Sequence, residues 1–133
     1  MIDLKTLREQ VSSYSILVVD DEEDVRNSII RFASSFFKNV EGAENGIDAL
    51  EKFNKKGHFD MVLTDLSMPK MNGVELIKNI RSLNQEVFVV VMSGAHEQYK
   101  NDMEKNAMVI NKPFGFDNLT DLLVKLVESK SNG

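Results

Sequence analysis

The chain has 133 residues, no cysteine, 42% hydrophobic and 28% charged residues, and a formal net charge of -5. Such a length and balance suit one soluble globular domain able to bury its own core. The same figures exclude a disulfide framework and a thiolate metal centre, offer no apolar run as long as a membrane span, and disfavour direct nucleic-acid binding.

No leader pattern opens the sequence, and the absence of cysteine fits a reducing compartment, so a cytoplasmic protein is expected. Leu4, Leu7, Val11 and Tyr14 have helical spacing, which predicts a short helix in the extension 1–14, packed on its own domain or frayed rather than set against a second copy. Residues 16–20 read as a strand, because Ile16-Leu-Val-Val19 is continuous, β-branched and too short for a helix. Val25, Ile29, Phe32, Ala33 and Phe36 then recur at helical intervals, behind acidic Glu22, Glu23 and Asp24 that favour a helix start. Asn39 to Ala43 is a weak second strand, Asn45-Gly46 a turn, and Ile47, Leu50 and Phe53 a second amphipathic helix. Met61-Val-Leu63 gives a third strand ending at Asp65, and the loop punctuated by Pro69 and Gly73 leads to a helix marked by Val74, Ile77 and Ile80. Strands follow at Val87–Met92 and Met108–Ile110, with a less apolar stretch, 97–105, predicted as a helix between them. Leu119, Leu122, Leu123 and Leu126 line a final helix, and the tail 130–133 is expected to be disordered, leaving 15–129 as the domain.

Strands alternating with helices predict an α/β fold, a parallel sheet covered on both faces. The flavodoxin-like, doubly wound five-stranded order 2-1-3-4-5 fits best, and ligands of such sheets bind beyond the carboxyl ends of the strands at the switch point. Asp20 and Asp21 end the first strand, Asp65 the third, Ser93 follows the fourth and Lys112-Pro113 the fifth. Two carboxylates ~5 Å apart repel by about 3 kcal/mol at an effective dielectric near 20. A cluster of them therefore calls for a cation, and an oxygen-only donor set without His or Cys suits Mg2+, with Mn2+ as a substitute, rather than zinc or copper. A carboxylate is also a nucleophile, and Asp65, alone at its strand end, is the candidate for attack on phosphorus.

The strings Leu17-Val-Val-Asp-Asp21, Leu63-Thr-Asp65-Leu-Ser-Met-Pro69, Met71-Asn-Gly73, Met92-Ser93-Gly-Ala95 and Asn111-Lys-Pro-Phe114 resemble, in joint order and spacing, the receiver domain of two-component response regulators, chemotaxis regulators included. The resemblance spans residues 15 to about 129. It implies that Asp65 accepts a phosphoryl group from the histidine of a sensor kinase or a phosphotransfer protein. Asp21, Asp65 and the backbone carbonyl of Ser67 would ligate Mg2+, and Asp20 would act through a coordinated water. Lys112 would pair with Asp65 and then with the phosphoryl oxygens, Ser93 would swing toward them, and the Lys112-Pro113 bond would be cis. The implied protein is a phosphorylation-dependent switch rather than an enzyme, with self-phosphorylation and autodephosphorylation as its only reactions. Its partners would be a kinase or phosphotransfer protein, a downstream target or output domain, and in the phosphorylated state a second copy.

The chain departs from the family at Val109, where an aromatic residue usually stands three positions before the lysine, and at Lys105-Asn-Ala, where small residues are usual. A serine-based switch is expected to survive these changes, whereas an aromatic one is not. Small Ser67 and Ala95 are expected to leave a phosphoryl group accessible to water. His58 reads as a solvated loop residue, His96 as a neighbour of the site, and Phe36-Phe37 as core with partial exposure. Competing readings are a pseudo-receiver that binds partners without phosphorylation, a receiver trimmed from a larger regulator or hybrid kinase, and a phosphatase of the haloacid dehalogenase type. The last requires a second aspartate where this chain has Ser67. A nucleotide-binding domain of the same fold is opposed by the acidic run after the first strand, which has no Gly-rich phosphate loop.

Overall fold

Continuous apolar strands bury both faces, and the chain folds accordingly into helices flanking a central sheet. The structure is a computed structural model; it describes residues 3–66, 68, 70–93, 108–111 and 116–132, with backbone only at 93, 111, 116–118 and 131–132. The elements run α1 (Leu4–Val11), β1 (Ser15–Val19), α2 (Glu23–Ala33), β2 (Asn39–Ala43), α3 (Gly46–Lys56), β3 (Met61–Asp65), α4 (Gly73–Leu83), β4 (Phe88–Ser93), β5 (Met108–Asn111) and α5 (Phe116–Asn132). All strand pairs are parallel, in the order β2-β1-β3-β4-β5, the flavodoxin-like arrangement.

Alternate strand residues feed two separate cores. Ile16, Val18, Met61, Leu63, Val90 and Met92 meet α1, α2 and α5 on one face, through Leu7, Val11, Ile29, Leu119, Leu122 and Leu126. Leu17, Val19, Val62, Val89 and Val91 meet α3 and α4 on the other, through Phe53, Leu76, Ile77 and Ile80. Val109 packs half-buried against this second core.

The helix starts are written in the sequence. Asp3, Asn45 and Asn72 each accept a hydrogen bond from an amide in the first turn that follows, at 2.8, 2.9 and 3.0 Å. β2 is an edge strand of the sheet among the described residues, and Lys52 of α3 donates to the Gly42 carbonyl there.

Several expectations are corrected. α2 ends at Ala33, and Phe36 and Phe37 lie in the turn beyond it, both buried rather than partly exposed. Serines at 34 and 35 end the helix early by bonding back to the Ile30 and Phe32 carbonyls. The first strand is shifted by one, with Ser15 inside it and Asp20 just outside. α5 continues to Asn132, so residues 130–132 are helical rather than disordered; Lys130 ties this last turn to the sheet through Asp60. His58 is exposed yet lies 3.1 Å from the same Asp60 carboxylate. The N-terminal extension is helical, with Leu7 and Val11 buried against the domain's own core. The helix expected over 97–105, and His96, lie outside the described residues.

Candidate functional site

β1 and β3 are neighbours, with Val19 opposite Thr64, so the residues that follow them emerge side by side. Asp20 stands one residue past β1, and Asp65 is the last residue of β3. Carboxylate oxygens of Asp20, Asp21 and Asp65 lie within 4.8 Å of one another, with Asp20 and Asp65 buried and Asp21 exposed. This is the edge at which a doubly wound sheet offers its ligand site.

Backbone geometry at both strand ends is fixed by short-range chemistry. The Asp20 amide donates to the Ala43 carbonyl at 3.1 Å, holding the residue against β2. Asp20 Oδ1 accepts from the Glu22 amide at 2.9 Å, turning the chain into α2. At the other strand end, the buried Thr64 hydroxyl donates to the Asp65 carbonyl at 2.9 Å, and the Leu66 amide to the Met92 carbonyl at 3.1 Å. The Gly73 amide donates to the Leu66 carbonyl at 2.8 Å, folding the loop back on the strand end. Only glycine fits there: a Cβ on Gly73 would stand 2.7 Å from the Asp65 carbonyl oxygen and 2.9 Å from the Leu66 Cα, both backbone atoms. Within the same loop Lys70 takes a left-handed backbone, φ 67°.

A buried pair of carboxylates beside an exposed third matches what a hard divalent cation needs. The donors are all oxygen, the charge is concentrated, and one side opens to water, which Mg2+ retains in its shell. The acidic pocket therefore fits Mg2+.

Of the other expected site residues, Ser93 is the last residue of β4 and pairs in register with Asn111, the last of β5. Lys112 follows directly in sequence, but it and Ser67 lie outside the described residues. Arg26, Thr64 and Gly73 shape the site, yet sequence pattern alone gives Arg26 and Thr64 no functional weight. Their roles are hydrogen bonds to carbonyls, visible only once the strand ends are placed.

The family description "Response regulator receiver domain" matches residues 16–124. The chain is 35% identical over 120 residues to chemotaxis protein CheY-3 of Vibrio cholerae, covering 85% of this chain and 91% of that protein. It is 29% identical over 120 residues to sporulation initiation phosphotransferase F of Bacillus subtilis, covering 88% of this chain and 96% of that protein. The solved response regulator TrrA of Thermotoga maritima, in complex with Mg2+ and BeF, superposes with a TM-score of 0.74 at 32% identity, covering 85% of this chain and 98% of that one. The acidic pocket, the strand order and these relatives agree: the chain belongs to the response regulator receiver domains, the phosphorylation-dependent switches of two-component signalling.

Proposed function

We propose that Asp65 is the phosphoacceptor, that Mg2+ is held by Asp21, Asp65 and the Ser67 carbonyl with Asp20 acting through a water, and that Lys112 and Ser93 engage the phosphoryl oxygens. The observation that carries this reading is the gathering of Asp20, Asp21 and Asp65 within 4.8 Å at the carboxyl ends of adjacent strands. Asp65 is the member of that cluster within a strand, so its carboxylate is held while the phosphoryl group is delivered from solvent. In the transfer, an Asp65 carboxylate oxygen bonds to phosphorus as the bond from phosphorus to the donor's imidazole nitrogen breaks. The electron pair leaves with the imidazole, which takes up a proton. Bound Mg2+ supplies positive charge for the carboxylates and for the oxygens of the transferring group. Ser93 stands at the end of β4, where a shift of its side chain can be passed to the segment that follows.

The donor is the phosphohistidine of a sensor kinase or phosphotransfer protein, and the readout is a downstream protein or output domain. The protein's own chemistry is limited to gaining and losing the phosphoryl group, and its two conformations exchange in proportion to phosphorylation.

Intact-protein mass after incubation with Mg2+ and phosphoramidate tests this reading. One phosphoryl adduct is expected on the wild type, none on Asp65→Asn, and none when a chelator removes the metal. An adduct that persists on Asp65→Asn would move the acceptor elsewhere.

A further inference from the structure

Arg26 reaches the backbone of the acidic pair. It sits in the first turns of α2, half-buried, and its Nη1 donates to the Asp20 carbonyl oxygen at 2.8 Å. With the Asp20 amide bound to the Ala43 carbonyl, residue 20 is clamped at both ends of its backbone, by β2 and by α2. The Asp20 carbonyl belongs to the peptide plane that leads into Asp21. Fixing that oxygen fixes the tilt of the plane, and with it the direction in which Asp21 leaves the chain.

The route of the side chain is kept clear by β2. A Cβ on Gly42 would lie 3.3 Å from Arg26 Cδ, 3.6 Å from Arg26 Cγ and 2.6 Å from Ile30 Cδ1. Gly42 thus lets the stem of Arg26 lie flat on the strand and reach back to the strand end of β1.

We propose that Arg26 is the positioning residue of the metal pocket, setting the carboxylates of Asp20 and Asp21 for a divalent cation through the Asp20 carbonyl. This inference rests on the metal reading given above and adds to it a residue that does not itself touch the ion. Charge and positioning predict opposite signs. A guanidinium this close to a cation site repels the cation, so on charge alone its removal would tighten binding. If it acts by orienting the acids, its removal weakens binding.

The test is Mg2+ affinity by calorimetry at fixed ionic strength on the metal-free wild type, Arg26→Gln, Arg26→Lys and Leu7→Ala, each with a thermal melt and a circular dichroism spectrum. Arg26→Gln is expected to weaken Mg2+ roughly tenfold, as loss of a group that orients metal ligands typically does. Arg26→Lys, which keeps the charge but lacks the planar fork, is expected to fall between. Leu7→Ala loosens the core beneath α1 without touching Arg26 or the carboxylates in any hydrogen bond, and is expected to bind as the wild type does. Unchanged or tighter binding by Arg26→Gln overturns the proposal while leaving the metal reading intact. Equal weakening by Leu7→Ala also overturns it, because the effect is then general loosening. A wild type that binds no Mg2+ overturns the metal reading and this inference together.

Discussion

Lys130, in the last turns of α5, donates to the Asp60 carboxylate at the threshold of β3, across 70 positions of sequence. The other Asp60 oxygen accepts the Ser15 amide at 2.8 Å, at the start of β1. The Asp60 backbone meets Ser15 through its amide and Phe88 through its carbonyl. One buried residue thus joins β1, β3 and α5 through its carboxylate and backbone amide, and β4 through its backbone carbonyl, at the sheet edge opposite the acidic pocket. Lys130 also lies 5.2 Å from the Tyr14 ring centroid. Asp60→Ala is expected to cost about 2 kcal/mol in urea unfolding, since it strands a buried amide as well as removing the ion pair. Lys130→Met, at a half-exposed position, is expected to cost less than half of that.

Asp60 also gives stability a pH dependence of known sign. Burial works against its charge, but the bonds from Lys130, the Ser15 amide and His58 outweigh it and hold the carboxyl below its ordinary value. A depressed folded value means a stabilising contribution that is complete above the unfolded carboxylate range, about pH 4, and lost as pH falls through the folded value. The stability gap between wild type and Asp60→Asn is therefore expected to narrow as pH falls below about 4. A gap that does not change with pH would mean that the charge is not its source.

The acidic pocket is held together against its own repulsion. Relieving it with Asp21→Asn, the exposed member, is expected to raise the metal-free stability by about 1 kcal/mol and to abolish the rise in melting temperature expected of the wild type with Mg2+. Melts with and without Mg2+ read both effects at once. A variant that keeps the full Mg2+ response would remove Asp21 from the ligand set.

Gly73 is the point where α4 meets the carboxyl end of β3. Because the atoms facing its missing side chain are backbone, Gly73→Ala is expected to cost about 1–3 kcal/mol and to slow phosphoryl uptake by displacing the strand end that carries Asp65. Melting temperature and the rate of adduct formation by mass check the two halves separately.

The strands were legible because Ile16-Leu-Val-Val19, Met61-Val-Leu63 and Val87–Met92 are short, β-branched and apolar on both faces. β2 reads weakly because it is the half-exposed edge, with Asn39, Glu41 and Gly42 in place of apolar residues. The three site aspartates were legible because strand ends in this fold share one edge. What pattern cannot show is contact at long range: Ser15 joins β1 through Asp60, α5 is extended by a lysine that meets the same Asp60, and Arg26 reaches back over Gly42. The early end of α2 lies in side-chain competition at Ser34 and Ser35, which hydrophobic spacing does not register.

Strand order also sets when the protein becomes chemically competent during folding. β1 and β3 touch, but α2, β2 and α3 lie between them in the chain, so Asp65 joins Asp20 and Asp21 only after a long loop has closed and β3 has inserted beside β1. Closure of such non-local pairings is the slow part of assembling a parallel sheet. A chain with only β1 and β2 in place has the acidic pair but not its third carboxylate, so metal capture is expected to mark insertion of the central strand rather than collapse.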